Sequence, residues 1–425
     1  MKSFNELTKL EIEENYKKEK EIYDNYCKMN LNLNIARGKP NAQQLDISNE
    51  LLSVSLTSED YIKNGVDYRN YGILDGLSET KKLFSEILNI PDSYIFVGGN
   101  SSLNLMFDML SRAMLFGLKN SLKPWCKEEK LKWICVAPGY DRHFKITEQL
   151  GFELLTVKMT PTGPDMDEVE KLVLDPQVKG IWCVPKYSNP TGNTYSDETV
   201  TRLAKMKCSA PDFCIMWDNA YAIHDFDENC DKLLDIFAEA KKYGNEDRVF
   251  YFSSTSKVTF PGAGVSIMAT SPENLKYILP QISVQTIGHD KLNQLKHIKF
   301  LKNAENTHSH MMKLGALIKQ KFDITLEAFS KLEGLKIAEW SKPNGGYFIS
   351  LDILVGSAKR VYSLMKNAGV TLTNVGATYP YGTDPEDKNL RIAPTYPSND
   401  ELKVACEILV NAIKLSALEY LKENS

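Results

Sequence analysis

The 425-residue chain lacks any apolar run approaching the ~18 residues of a membrane span, and its eight cysteines include no Cys-x-x-Cys pair. It also lacks internal repeats, low-complexity linkers and a marked charge of either sign: 51 Lys and Arg face 55 Asp and Glu, leaving −4. The missing apolar run argues against a helical membrane protein. The near-neutral balance removes any general attraction to nucleic acid or anionic lipid. Cysteines such as Cys183, set inside Ile181-Trp182-Cys183-Val184, read as buried reduced thiols of a cytoplasmic protein rather than a disulfide scaffold. Residues 1–30 are dense in Lys and Glu and offer no signal peptide. What is present is a 43% hydrophobic composition in a chain long enough for two or three domains at ~150 residues each.

The middle of the chain alternates short apolar runs with amphipathic ones. Tyr94–Val97, Trp133–Val136, Leu154–Val157, Ile181–Val184, Cys214–Trp217 and Val249–Phe252 are too short for helices and are mostly closed by Gly, Pro, Ser or Asn. Helical periodicity fills the gaps, as in Leu103–Leu118 and Ser196–Met206. Strands apolar on both faces and separated by helices predict a mostly parallel sheet covered on both sides. This gives an α/β domain over residues 51–300. Beyond it come a long helical pattern (Phe300–Glu333), a strand after the Gly345-Gly346 turn, a helix at Ala358–Ala368, an extended piece at Leu390–Ala393 and a helix from Ser398. These predict a smaller α+β domain over 301–425, with 1–50 contributing to it. The N-terminal segment reads as a solvated amphipathic helix. His308-Ser309-His310 lacks metal-ligand spacing and reads as a solvated face, so no metal site is expected.

Ligands of open parallel sheets gather beyond the carboxyl ends of the strands, so the residues after each run matter most. Gly98-Gly99-Asn100-Ser101-Ser102 precedes a helix and could cradle an anion on backbone N–H groups, although the same letters cap ordinary helices. Tyr140 and His143 follow another strand. Asn189-Pro190-Thr191-Gly192 spells a rigid turn. Asp218 delivers a carboxylate to the end of a buried strand, where it calls for a cationic partner. Lys257, after Ser253-Ser254-Thr255-Ser256, is an amine placed to lose solvation and become nucleophilic. An anion cradle, an aromatic face, an amide, a buried carboxylate and a reactive amine together suit a phosphorylated aromatic aldehyde, pyridoxal 5′-phosphate.

In this order of motifs the chain resembles the fold-type-I pyridoxal-phosphate aminotransferases of the aspartate aminotransferase class. Ala36-Arg37-Gly38-Lys39-Pro40 is similar to the bacterial group of aspartate or MocR-type aminotransferases. The resemblance rests on Tyr71-Gly72, Gly99-Asn100-Ser101, Asn189-Pro190-Thr191-Gly192, Asp218-Asn219-Ala220-Tyr221, Ser254-Thr255-Ser256-Lys257 and Arg391. It implies that Lys257 holds the cofactor covalently and then moves the proton. Asp218 would pair with the pyridine nitrogen, supported by His143, while Tyr140 stacks on the ring. Asn189 and Tyr221 would bond its phenolic oxygen. Gly99, Asn100, Ser101, Ser254 and Ser256 would hold the phosphate, joined by Tyr71 from the other subunit of a homodimer. Arg391 would clamp the substrate α-carboxylate, with Gly38 donating to it.

Two positions depart from the family pattern. Val265 stands where many relatives have a phosphate-binding arginine, and Arg37, Lys39 and Arg142 all compete for a distal carboxylate. The implied reaction moves an amino group from L-aspartate to 2-oxoglutarate in two half-reactions. The rival readings are an aminotransferase for aromatic or other neutral amino acids, or a β-lyase, on the same scaffold. Related domains also serve as effector sensors in transcription regulators, behind a winged-helix segment for which the residues before Ala36 are too few.

Overall fold

Eight strands build the main sheet of the computed structural model, which describes residues 3–424. In chain order they are β1 (Ile95–Val97), β2 (Lys132–Ala137), β3 (Glu153–Thr160), β4 (Gly163–Pro164), β5 (Val178–Cys183), β6 (Cys214–Asp218), β7 (Val249–Ser254) and β8 (Ser266–Ala269). Across the sheet the order is β1-β8-β7-β6-β5-β2-β3-β4. The run from β7 through β6, β5 and β2 to β3 is parallel. β8 lies antiparallel between β7 and β1, and β4 returns antiparallel on β3. Parallel strands covered on both faces must be apolar on both; β5 and β6 are buried at every residue and β7 at all but Ser254. Each predicted strand is present with its ends moved by a few residues. Two strands were not expected: β4, only two residues long, and β8, four residues hidden behind a Gly- and Pro-rich loop.

Alternate side chains feed two apolar cores, one on each face of this sheet. Trp133 is fully buried on one of them, edge-on to Trp125 and Phe152 and tilted against Trp182. Gly180 on the neighbouring β5 makes room for it, since a Cβ there would stand 2.4 Å from the indole. Truncating such a ring to alanine costs about 3–5 kcal/mol. Most helices on the sheet begin at a side-chain cap: Ser196 accepts from Thr199 N, Asp235 from Phe237 N, and Ser271 from Asn274 N ahead of Pro272. The helix Ser102–Phe116 differs, because Ser101 at its start makes no side-chain cap and leaves first-turn N–H groups for another acceptor.

The smaller domain packs helices on an antiparallel sheet of Ala338–Trp340, Ile349–Ile353 and Asn389–Ile392. The N-terminal segment joins it twice. Leu33–Asn34 pairs in parallel with Val370–Thr371, and the helix Lys9–Cys27 lies on Asn399–Asn424, burying Ile12 and Tyr23. One stripe of that helix is therefore packed, while its other residues stay partly or fully solvated. The long helical pattern expected from Phe300 to Glu333 breaks into Lys291–Leu301 and Ala304–Ser330. Lys302 turns to φ 63° and Asn303 caps the second helix by accepting from Asn306 N. His308 is exposed beside Glu228, but His310 is half-buried with Nε2 2.7 Å from the Val258 carbonyl, so only the first fits a solvated face. Cys135, Cys183, Cys214 and Cys406 are buried, and burial pushes each thiol pKa up. Among the described residues no helix is long and apolar enough to cross a membrane.

Candidate active site

A cavity of about 660 Å³ opens where the carboxyl ends of the main strands meet the smaller domain. Asp218, last residue of β6, forms its floor. Its Oδ2 lies 2.9 Å from His143 Nε2, and facing an ionised carboxylate that nitrogen donates. His143 sits one helical turn after Tyr140 and stacks on Trp182, with ring centroids 4.3 Å apart and planes at 10°. The imidazole is thus fixed from below and from the side. Asp218 Oδ1 is buried and has no hydrogen-bond partner among the described residues. A buried carboxylate oxygen left so costs about 1–3 kcal/mol or more, and it calls for an N–H from whatever fills the cavity.

Lys257 enters from the loop after β7. Its Nζ lies 4.9 Å from the Tyr221 ring centroid and 5.6 Å from that of Tyr347. Burial lowers the amine pKa, while the Asp218 charge pulls it back up. Burial also pushes the Tyr140 hydroxyl up to about 12, helped by the charges of Asp218 and Asp141. Behind the lysine lies His224, fully enclosed, with both ring nitrogens unpartnered among the described residues. Burial first, then Lys257 and Lys186, drive its pKa to about 3.

The uncapped start of Ser102–Phe116 faces the same space, and Ser101, Ser254 and Ser256 line it. Ser254 Oγ donates to Ser256 Oγ at 3.0 Å, and Ser256 Oγ to the Asn100 carbonyl at 3.3 Å. Gly99 is held by Ser266, whose backbone N donates to its carbonyl at 2.8 Å. Val265 is buried in the core and leaves no cation there. Hydroxyls and helix N–H groups are thus the groups available here to an anion.

At the mouth, Arg391 Nη1 donates to Asp141 Oδ1 at 2.8 Å and to Asn189 Oδ1 at 3.5 Å, and Nε to Thr373 Oγ1 at 3.4 Å. The Thr373 hydroxyl donates to the Ala36 carbonyl at 2.7 Å, and the Thr395 hydroxyl to that of Lys39 at 3.1 Å, which brings the Ala36–Lys39 segment to the cavity. Lys39 Nζ rests 3.9 Å from the Tyr396 ring centroid. Arg37 and Arg142 are exposed and, among the described residues, have no carboxylate partner. Five cationic side chains (Arg37, Lys39, Arg142, Lys257, Arg391) line the cavity against two carboxylates, Asp141 and Asp218.

Gly38, Arg37, Ser101, Tyr140, Asn189, Asp218, Tyr221, Ser254, Ser256, Lys257 and Arg391 all come together here. His143 stands behind Asp218, and Gly99 and Asn100 behind the serines. Tyr71 is elsewhere: it is 81% exposed beside Arg69, Asn70 and Lys291 around another hollow. Sequence reasoning missed Asp141, Thr373, Phe348 and Trp182. The first is marked only by its place after Tyr140, and the others carry no local signal. Among the described residues no group of three or more His, Cys, Asp or Glu is placed for a metal. The orphaned Asp218 oxygen, the uncapped helix and the desolvated amine fit the ring nitrogen, the phosphate and the aldehyde of pyridoxal phosphate.

Comparison with known proteins agrees with this geometry. The chain is 44% identical over 402 residues to the aspartate aminotransferase of Corynebacterium glutamicum, spanning 94% of this chain and 93% of that one. The crystal structure of an aspartate transaminase from Corynebacterium glutamicum superposes with a TM-score of 0.96 at 43% identity, covering 98% and 99% of the two chains. An α-aminoadipate aminotransferase from Thermus thermophilus, complexed with N-(5′-phosphopyridoxyl)-L-leucine, shares the fold at a TM-score of 0.72 and 20% identity, over 92% and 93% of the chains. A model of the family described as "Aspartate amino-transferase" matches residues 7–425. The chain belongs to that family, and is an aminotransferase of fold type I.

Proposed function

We propose that the enzyme takes the α-amino group of L-aspartate and passes it to 2-oxoglutarate, with pyridoxal 5′-phosphate held at Lys257. When bound, the cofactor supplies an aldehyde to receive the amino group and a ring to drain electron density from the Cα. Asp218, steadied by His143, holds a proton on the ring nitrogen; such a buried counter-charge is worth ~1–3 pKa units. Lys257 Nζ, whose pKa burial lowers, would hold the aldehyde and would carry the Cα proton. Tyr140 covers the ring, while Asn189 and Tyr221 bond its phenolic oxygen. Gly99, Asn100, Ser101, Ser254 and Ser256 hold the phosphate. Arg391 grips the α-carboxylate with its planar fork, beside the Gly38 backbone N–H.

One observation carries the substrate choice: with Lys257 committed to the cofactor, four cations still face two carboxylates in the cavity, and Arg37 and Arg142 have no carboxylate partner among the described residues. The cofactor phosphate and the α-carboxylate are common to all substrates, so it is the second carboxylate of an acidic substrate that would meet the cations a neutral amino acid leaves without a partner. The 44% identical aspartate aminotransferase supports the same assignment. The exposed Tyr71 suits a homodimer in which each copy lends this residue to the other's phosphate site, and the free, partly buried thiols accord with a cytoplasmic enzyme. Residues 1–50 and 301–425 would form the smaller domain and 51–300 the larger. Steady-state kinetics with 2-oxoglutarate test the proposal. Aspartate should exceed phenylalanine and tyrosine in kcat/KM by at least about tenfold, and the reverse order would overturn it.

A further inference from the structure

Asp141 Oδ1 stands 2.8 Å from Arg391 Nη1, so the guanidinium assigned above to the substrate α-carboxylate already holds a carboxylate of its own chain. The Arg391 side chain is only 10% exposed and that of Asp141 32%, so the pair is less screened than a surface ion pair. A guanidinium grips a carboxylate through one of two edges, Nη1 with Nη2 or Nε with Nη2. Asp141 occupies a nitrogen of the first edge, and Thr373 one of the second. The two partners come from different domains: Asp141 opens the helix Asp141–Gln149, and Arg391 lies on Asn389–Ile392. Those domains are also tied near the pair by Gly139 N donating to the Thr378 carbonyl at 2.7 Å and Leu154 N to Tyr381 Oη at 2.8 Å. The pair can therefore open by rotation of one short side chain, with no change in how the domains meet.

We propose that Asp141 is an intramolecular competitor for the substrate carboxylate at Arg391: it holds the guanidinium in place in the empty enzyme and sets how strongly a carboxylate must bind to displace it. This rests on the reading of Arg391 given under Proposed function. A ligand whose carboxylate reaches Arg391 breaks one ion pair to make another, so its affinity is lower than the exposed cations alone would give. Asp141 is a positioning residue, acting through Arg391.

Calorimetric titration of the cofactor-loaded enzyme with maleate, an unreactive dicarboxylate, tests this. In D141N and D141A the Kd for maleate should fall at least about fivefold, and the KM for the amino donor should fall in step. Two substitutions guard against a local folding defect in either, and melting curves check both. An unchanged or weaker Kd in both variants overturns the proposal. Tighter binding in variants of an enzyme that does not transaminate keeps the competitor and removes the proposed activity. No maleate binding to an enzyme that does turn over aspartate overturns the competitor alone.

Discussion

The floor of the cavity and its mouth are built from different materials. Asp218, His143 and Trp182 are set in the cores of the main sheet, where aromatic packing allows one arrangement. Arg391, Asp141, Arg142 and Arg37 sit at the seam between two domains, held by ion pairs or by nothing charged. The floor thus suits a group that never changes, and the mouth suits substrates that differ at one end. A family that keeps its cofactor and varies its amino acid would place rigidity and adaptability in this way.

The sharpest way to break the comparison is at the floor. Lys257→Ala should lower kcat by at least ~10⁴-fold, since both the covalent link and the proton carrier go, while the melting temperature of the cofactor-free protein changes little. Asp218→Asn follows, with kcat lower by about 10- to 1000-fold from the ~1–3 pKa units its charge supplies. At the mouth the effects should be smaller and fall on KM. Arg391→Lys should cost about 10- to 100-fold in kcat/KM, as expected for losing a bidentate charged hydrogen bond. Arg142→Ala should raise the KM for aspartate about tenfold and leave that for neutral amino acids unchanged; if Arg37→Ala gives that pattern instead, the distal carboxylate lies on the N-terminal segment.

The smallest effect concerns His224, beneath the lysine. Its folded pKa, about 3, lies below the ordinary 6.5, so the unfolded chain binds the proton first as pH falls. Its contribution to stability is full above pH 6.5 and drains away between 6.5 and about 3. Melting temperatures of His224→Phe should therefore decline less steeply with acidification over that window than those of the wild type, and parallel slopes would show that His224 is not buried neutral.

The floor was easier to read from sequence than the mouth, for a physical reason. Asp218 and the Ser253-Ser254 pair close runs of four apolar residues, and His143 lies three residues after Tyr140 on one helix face, so local pattern places them. The pairing of Asp141 with Arg391 spans 250 residues and depends on how two domains meet, which no periodicity records. The same holds for Thr373, linking Ala36 to Arg391 across the chain. The break at Lys302 is masked because helical spacing of apolar residues continues on either side, and only a positive φ at Lys302 and the cap at Asn303 mark it. β8 was hidden by its brevity.

Gly38 has a consequence beyond the hydrogen bond expected of its backbone. A methyl group there would fall 2.3 Å from Phe348 Cζ, and the Phe348 ring lies 5.2 Å from the Arg391 guanidinium. Adding one carbon at residue 38 would therefore force the ring that neighbours the arginine to shift. The absence of a side chain at residue 38 thus matters to the arginine through a ring that stands between them in contact, not through any bond of its own.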